Sequence, residues 1–195
     1  VVNYAFGTSN TISHTAIDIV EEHGGSLAVG LSNTINSNNA SVALGRGNTI
    51  PATAVRAAAI GESNTASARA SIALGYNNTS SGYASTAVGF QNTASFQGAF
   101  AGGYQSDATN DNAFAYGNDA QASGVTSAAF GLNTTAAGQY SFTQGYGTNA
   151  TNESEAVLGQ FNLPVTSAIF QVGDGNTSSS QSNLISAIKG GIPAD

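Results

Sequence analysis

Two histidines and a few carboxylates are the side chains of this sequence best equipped for acid-base or metal chemistry. His14 and His23 flank the segment HTAIDIVEEHGG, with Asp18, Glu21 and Glu22 between them. Imidazoles mixed with carboxylates supply the donor types of a metal site. The same segment is also the one irregular stretch of the chain, with Ile17, Ile19 and Val20 suited to a short helix or bulged strand. The expected reading is therefore a loop or end cap rather than a metal centre. Asp107, Asp111 and Asp119 lie close in sequence, but the acidic loop and glycine-rich repeat that hold calcium are absent. These three, and Asp174 in Gly-Asp-Gly-Asn, are expected to be solvated turn carboxylates. No metal or cofactor site is assigned.

Catalytic groupings fare no better. Serine and threonine are abundant, yet no histidine follows His23, so a serine nucleophile has no imidazole base in the rest of the chain. Glu153 and Glu155 are the close glutamates of the later sequence; strand alternation would put both on one exposed face. Glycoside hydrolysis needs two acids flanking a cleft instead. Cysteine is absent, which removes thiol nucleophiles, thiolate metal sites and disulfides together. No catalytic residue is expected, and the chain does not read as an enzyme.

What must position these residues is an unusual backbone. Of 195 residues only 8% are charged and 24 are glycine, and much of the 41% hydrophobic content is alanine. A typical soluble domain is roughly 25% charged, so an ordinary globular core is not expected. The net charge is −7, with Arg46, Arg56, Arg69 and Lys189 the whole basic complement. Without a basic stripe, nucleic acid is not an expected partner. No apolar run reaches the length of a membrane-spanning helix, so no direct membrane insertion is expected. The absence of Cys, Met and Trp suits an extracellular, oxidation-tolerant surface. Lacking methionine even at position 1, the chain reads as a processed product or a piece of a longer polypeptide.

A fourteen-residue period organises the rest. Gly61, Gly75, Gly89, Gly103, Gly117, Gly131, Gly145, Gly159 and Gly173 are equally spaced, and Gly45 and Gly30 extend the series with slightly longer steps. An outlying copy, Tyr4-Ala5-Phe6-Gly7 followed by Asn10-Thr11, lies beyond an insertion that contains the two histidines. The position two before each glycine is alanine from Ala28 to Ala129, and the position four before is Ser or Ala from Ser26 to Ser141. Larger apolar residues fill the places between: Leu27/Val29, Val42/Leu44, Ile72/Leu74, Phe114/Tyr116. Alternation of small and large residues over five positions predicts a short strand with two different faces.

The phased glycines are read as structural turn residues. Asn-Thr follows at Asn33-Thr34, Asn48-Thr49, Asn64-Thr65, Asn78-Thr79 and Asn92-Thr93, and reads as turn chemistry in which asparagine closes its own turn. A second small-residue strand and a second turn, with Gly82, Gly124 and Gly138, complete the unit. Two strands and two turns in fourteen residues describe one coil of a flattened β-solenoid. Stacked at about 4.8 Å, eleven coils make a rod of about 50 Å. Glycine-rich disorder is the competing reading, but a disordered tract has no reason to keep a strand alternation. Which face points inward stays open at this stage. Either choice leaves a surplus apolar or small-residue face, so cyclic homo-oligomerisation is expected.

Ser41-Val42-Ala43-Leu44-Gly45 and Ser71-Ile72-Ala73-Leu74-Gly75, each followed by a turn and a small-residue strand, resemble the head repeats of YadA-like trimeric adhesins over about residues 26–160. The resemblance implies an all-β fold: a left-handed parallel β-roll of fourteen-residue coils, three chains side by side as a homotrimer. The expected division is 1–25, an N-terminal coil with a capping insertion; 26–160, the β-roll repeats; and 161–195, a non-repeat element. Within it, the segment from Ile169, IFQVGDGNTSSSQSNLISAIKGGIPAD, resembles an element that follows such repeats in phage tail fibres, a class in which self-cleavage removes a downstream chaperone domain.

The functional expectation is a structural and adhesive fibre module, extracellular on a cell surface or virion fibre, that binds a host or matrix protein or a glycan. The tyrosines Tyr76, Tyr83, Tyr104, Tyr116, Tyr140 and Tyr146 are candidates for stacking on sugars. Alternatives are a phage fibre tip that binds or depolymerises glycan, and an ice-binding solenoid using the column Thr34, Thr49, Thr65, Thr79, Thr93.

Overall fold

A computed structural model describes residues 3–13, 24–37 and 39–190. The segment with His14, His23, Asp18, Glu21 and Glu22, the expected cap, lies outside the described residues. The remainder is all-β, a parallel β-solenoid wound from two sheets. One has thirteen strands, running from Tyr4–Thr8 through Leu27–Leu31, Val42–Arg46 and their successors to Ala156–Gln160, Ala168–Asp174 and Asn183–Ile188. The other has ten strands of two residues, from Thr11–Ile12 to Asn149–Ala150. Ten coils thus contribute a strand to both sheets. Beyond Asn149–Ala150 only the long-strand sheet continues among the described residues, so the expected eleven coils come to ten complete ones. The last strand, Asn183–Ile188, runs antiparallel to Ala168–Asp174 and closes that end.

Pairing is in register with the sequence period. Ala59, Ala73, Ala87 and Ala101 lie opposite one another across successive strands, and so do Gly61, Gly75, Gly89 and Gly103. The N-terminal copy joins in the same way, with Gly7 opposite Gly30. Because each residue stacks on its counterpart one coil away, one position in the repeat becomes one column along the rod.

The strand alternation sorts these columns. In the coil around Gly75, Ser71, Ala73, Asn78 and Ser80 point inward and are fully buried, while Ile72, Leu74 and Tyr76 point outward. The open question of facing is settled: small residues line the interior and large apolar ones the exterior. The inner columns are too close to hold much else, as alanine recurs from Ala87 to Ala136. Larger groups enter the lumen only toward its ends, Ile35 and Ile50 near the N-terminus and Glu155, Val157 and Gln171 near the C-terminus. With so little apolar area per residue, cohesion falls mainly on the backbone ladders between coils and on side chains that stack with the same period.

The asparagines of the Asn-Thr pairs are the clearest such group. They do not close their own turns at the surface. Asn33, Asn48, Asn64, Asn78 and Asn92 are fully buried and run as a ladder. Asn78 Nδ2 donates to Asn64 Oδ1 at 3.1 Å, to the Leu74 carbonyl at 2.9 Å and to the Gly89 carbonyl of the next coil at 2.7 Å. Its Oδ1 accepts from the Asn92 backbone N–H and Nδ2, both at 3.0 Å. Both polar atoms of the buried amide are satisfied, with four of these five bonds made to the coils above and below, which is the condition for burying it without penalty. The ladder ends where Ser106 and Ala120 take over the column, the Ser106 N–H being the last to bond Asn92 Oδ1.

The corners are made by other residues. Two positions after each glycine the backbone turns left-handed at Ser63, Asn77, Gln91, Gln105, Asp119 and Asn133. At the opposite corner buried serines close the turn: Ser71, Ser85 and Ser127 each donate a hydroxyl to the carbonyl three residues back, at 2.6–2.7 Å. Gly82, Gly124 and Gly138 occupy this second corner.

Candidate functional site

The structure places Gly30, Gly45, Gly61, Gly75, Gly89, Gly103, Gly117, Gly131, Gly145, Gly159 and Gly173 as the penultimate residue of each long strand, not within the turn that follows. Gly75 shows the physical reason. Its φ is +118°, a conformation that side chains disfavour, and a Cβ there would lie 2.1 Å from the Gly89 carbonyl oxygen of the next coil. The glycine column is where neighbouring coils approach too closely for any side chain. It sets the stacking and carries no chemistry.

Chemistry, if present, must therefore lie on the outside. The outer face of the long-strand sheet bears three mostly apolar columns side by side, interrupted by Arg46, Glu62, Asn118 and Gln144. Ile72 is 42% exposed, Leu74 40% and Tyr116 54%. Coil spacing brings like rings together: Tyr76, Phe90 and Tyr104 stack with centroids 5.0 and 4.9 Å apart, and Phe100 stacks on Phe114 at 4.6 Å. Phe114 continues onto Phe130 at 5.2 Å. Such stacks sit within the favourable range for aromatic pairs. An apolar surface of this continuity is rare on a soluble monomer. An ion pair on it, Arg46 with Glu62 at 3.4 Å, is exposed and adds little.

The candidate tyrosines divide between two edges. Tyr76, Tyr104, Tyr116 and Tyr146 belong to the apolar face, whereas Tyr83 and Tyr140 stand exposed near the serine-closed corner with Phe96. The threonine column is real as geometry: Thr11, Thr34, Thr49, Thr65, Thr79 and Thr93 lie in register on the short-strand sheet, followed by Asp107 and Gln121.

The three aspartates separate. Asp107 occupies the threonine column and feels Asp119 at the adjoining corner, while Asp111 lies in the turn at the opposite corner. Partial burial raises the Asp107 pKa above the usual carboxylate range; the Thr93 hydroxyl opposes this and the Asp119 charge reinforces it. Among the described residues no cluster of three His, Cys, Asp or Glu side chains forms.

Glu153 and Glu155 do not share a face. Glu153 is exposed in the turn, and Glu155 is buried in the serine column. The Glu155 carboxylate accepts from the Thr151 and Asn152 backbone N–H groups at 2.8 and 2.9 Å and from Asn152 Nδ2 at 3.0 Å. Gln171 Nε2 donates to its other oxygen, and Asn162 Nδ2 reaches Gln171 Oε1 at 3.2 Å. These bonds saturate the carboxylate and plug the C-terminal end of the lumen with polar groups. The signal was present in the sequence as a glutamate in a column otherwise of Ser and Ala.

A rod of repeating coils with a side-chain-filled lumen and its variable residues displayed outward is a structural and display scaffold of the parallel β-solenoid class. Residues 52–78, 80–106 and 122–142 match the family described as YadA head domain repeat (2 copies), which supports a YadA-like head domain over that part of the chain. That family is structural and adhesive rather than typically enzymatic, and its adhesins are surface-exposed. No curated protein matches the chain.

Proposed function

We propose that the chain is an adhesive module of an extracellular fibre that works as a homotrimer, three rolls side by side about the rod axis. The supporting observation is the outer face of the long-strand sheet, where apolar and aromatic columns stand exposed from Tyr4 and Phe6 to Leu132, with Tyr146 at their rim. Three chains that turn this face toward a common axis remove it from water and leave the short-strand sheet and both corners free for binding. Affinity then rises through three-fold avidity on a stiff support. The partner is a host or matrix surface protein or glycan.

Beads coated with the purified protein, presented to cultured cells and to immobilised matrix proteins, test the reading. Adhesion that exceeds that of beads carrying an unrelated solenoid is expected; no adhesion to any surface would contradict it.

The other readings have less to rest on. An ice-binding face is served by a wide regular array, whereas the threonine ladder is one residue wide and gives way to Asp107 and Gln121. A depolymerase needs acids at a cleft, whereas the Glu155 carboxylate is spent on structural hydrogen bonds inside the roll.

A further inference from the structure

The repeat is broken at one corner in a way the fold does not require. In the column two residues after each strand glycine, small polar residues or glycine occupy the left-handed turn, but Phe161 takes it with φ +40°. A bulky residue at positive φ is strained and marks a place worth explaining. Its ring lies over Gly147, where a Cβ would come within 2.5 Å of the ring. The ring is buried and meets Tyr146 at a centroid distance of 4.4 Å and a tilt of 60°, while Tyr146 itself is 42% exposed. Phe161 therefore backs a tyrosine ring whose other side faces solvent.

That tyrosine borders a groove of about 390 Å³ between this corner and the turn joining the last two strands. The volume falls in the usual range of small-molecule sites, about 300–1,000 Å³. Four carboxamides line it: Asn133, Asn149, Asn176 and Gln181. None of their side chains is committed to a hydrogen bond among the described residues. No charged side chain lines the groove. Paired donors and acceptors beside an aromatic face, without charge, match the hydroxyls and apolar face of a sugar ring. We propose that this groove binds one uncharged pyranose unit of a surface glycan, with Tyr146 stacked on the ring and the amides on its hydroxyls.

The inference rests on the adhesive reading and can fail apart from it. The probe is an array of neutral and sialylated oligosaccharides, read with the full chain and with Asn176→Asp, Gln181→Ala and Tyr146→Ala. Asn176 and Gln181 lie on the turn, so their substitution should leave the melting temperature unchanged. Tyr146 is at the rim of the apolar face, so the oligomer mass is measured alongside. Neutral glycans should bind, each variant should weaken them about tenfold or more, and Tyr83→Ala at the far corner should not. Preference for sialylated glycans, binding indifferent to all three substitutions, or no glycan bound would overturn the site. If the protein still adheres to cells in the last case, the adhesive reading survives and the ligand is a protein; if it adheres to nothing, both fall.

Discussion

Gly102 and Gly103 are adjacent in sequence and differ sharply in what a methyl group would meet. At Gly103 φ is +99° and a Cβ would lie 2.1 Å from the Gly117 carbonyl oxygen, which is backbone of the next coil. At Gly102, on the outer face, the nearest atoms are ring carbons of Tyr116 at 2.8 Å and Phe100 at 3.0 Å, both able to swing aside. Alanine at position 103 incurs about 1–3 kcal/mol of backbone strain. It must also push a carbonyl about 1 Å away, losing one or two ladder bonds at about 0.5–1.5 kcal/mol each. A loss near 4 kcal/mol lowers the melting temperature of a chain this long by about 8–16 °C. Gly102→Ala needs only ring rotations and should cost less than about 1 kcal/mol. Thermal melts of the two variants by circular dichroism make the comparison. Equal shifts, or Gly103→Ala within about 2 °C of the parent, would refute the claim that glycine is required by coil-to-coil approach.

Within the asparagine ladder, Asn78→Asp should destabilise more than Asn78→Ala, because it sets a carboxylate oxygen against the acceptors Asn64 Oδ1, Leu74 O and Gly89 O; denaturant melts should show about 2–4 kcal/mol lost for Ala and more for Asp. Burial raises the Asp107 pKa in the folded state, so folding binds a proton there and stability falls as pH rises from the ordinary carboxylate value through the raised one, then levels. Asp107→Asn should flatten that part of the pH profile and raise the melting temperature at neutral pH. Glu155→Ser restores the column's usual residue, whose hydroxyl can accept from the Asn152 N–H as Ser71 and Ser85 do from theirs, but leaves the Thr151 N–H and Gln171 without their acceptor. Hydrogen exchange should quicken in residues 149–174 and stay unchanged near Gly45.

Much of the fold was legible because a solenoid writes its geometry as a period. The glycine spacing, the five-residue alternation and the N-terminal copy at Gly7 each correspond to a paired strand. What misled was chemistry that serves two environments equally well. Asn beside Thr after a glycine is common in exposed turns, and nothing local distinguishes it from an amide buried between coils; only the repetition at Asn33, Asn48, Asn64, Asn78 and Asn92 hints at a ladder. Facing was open because Ala against Leu fixes two faces without saying which is enclosed, and the narrowness of a fourteen-residue coil decides for alanine. Glu153 and Glu155 misled because the strand begins after them, at Ala156, so the alternation assumed for the pair did not exist. Phe161 stands in the sequence as a departure from its column, but its meaning needed the groove beside it.

The central claim is that the exposed apolar face is an interface among three copies of the chain, and sedimentation equilibrium at micromolar concentration tests it directly. The account predicts a single folded species at three times the 19.4 kDa chain mass, with Leu74→Glu or Ile72→Glu dissociating it. A stable, soluble, fully folded species at 19.4 kDa would contradict it.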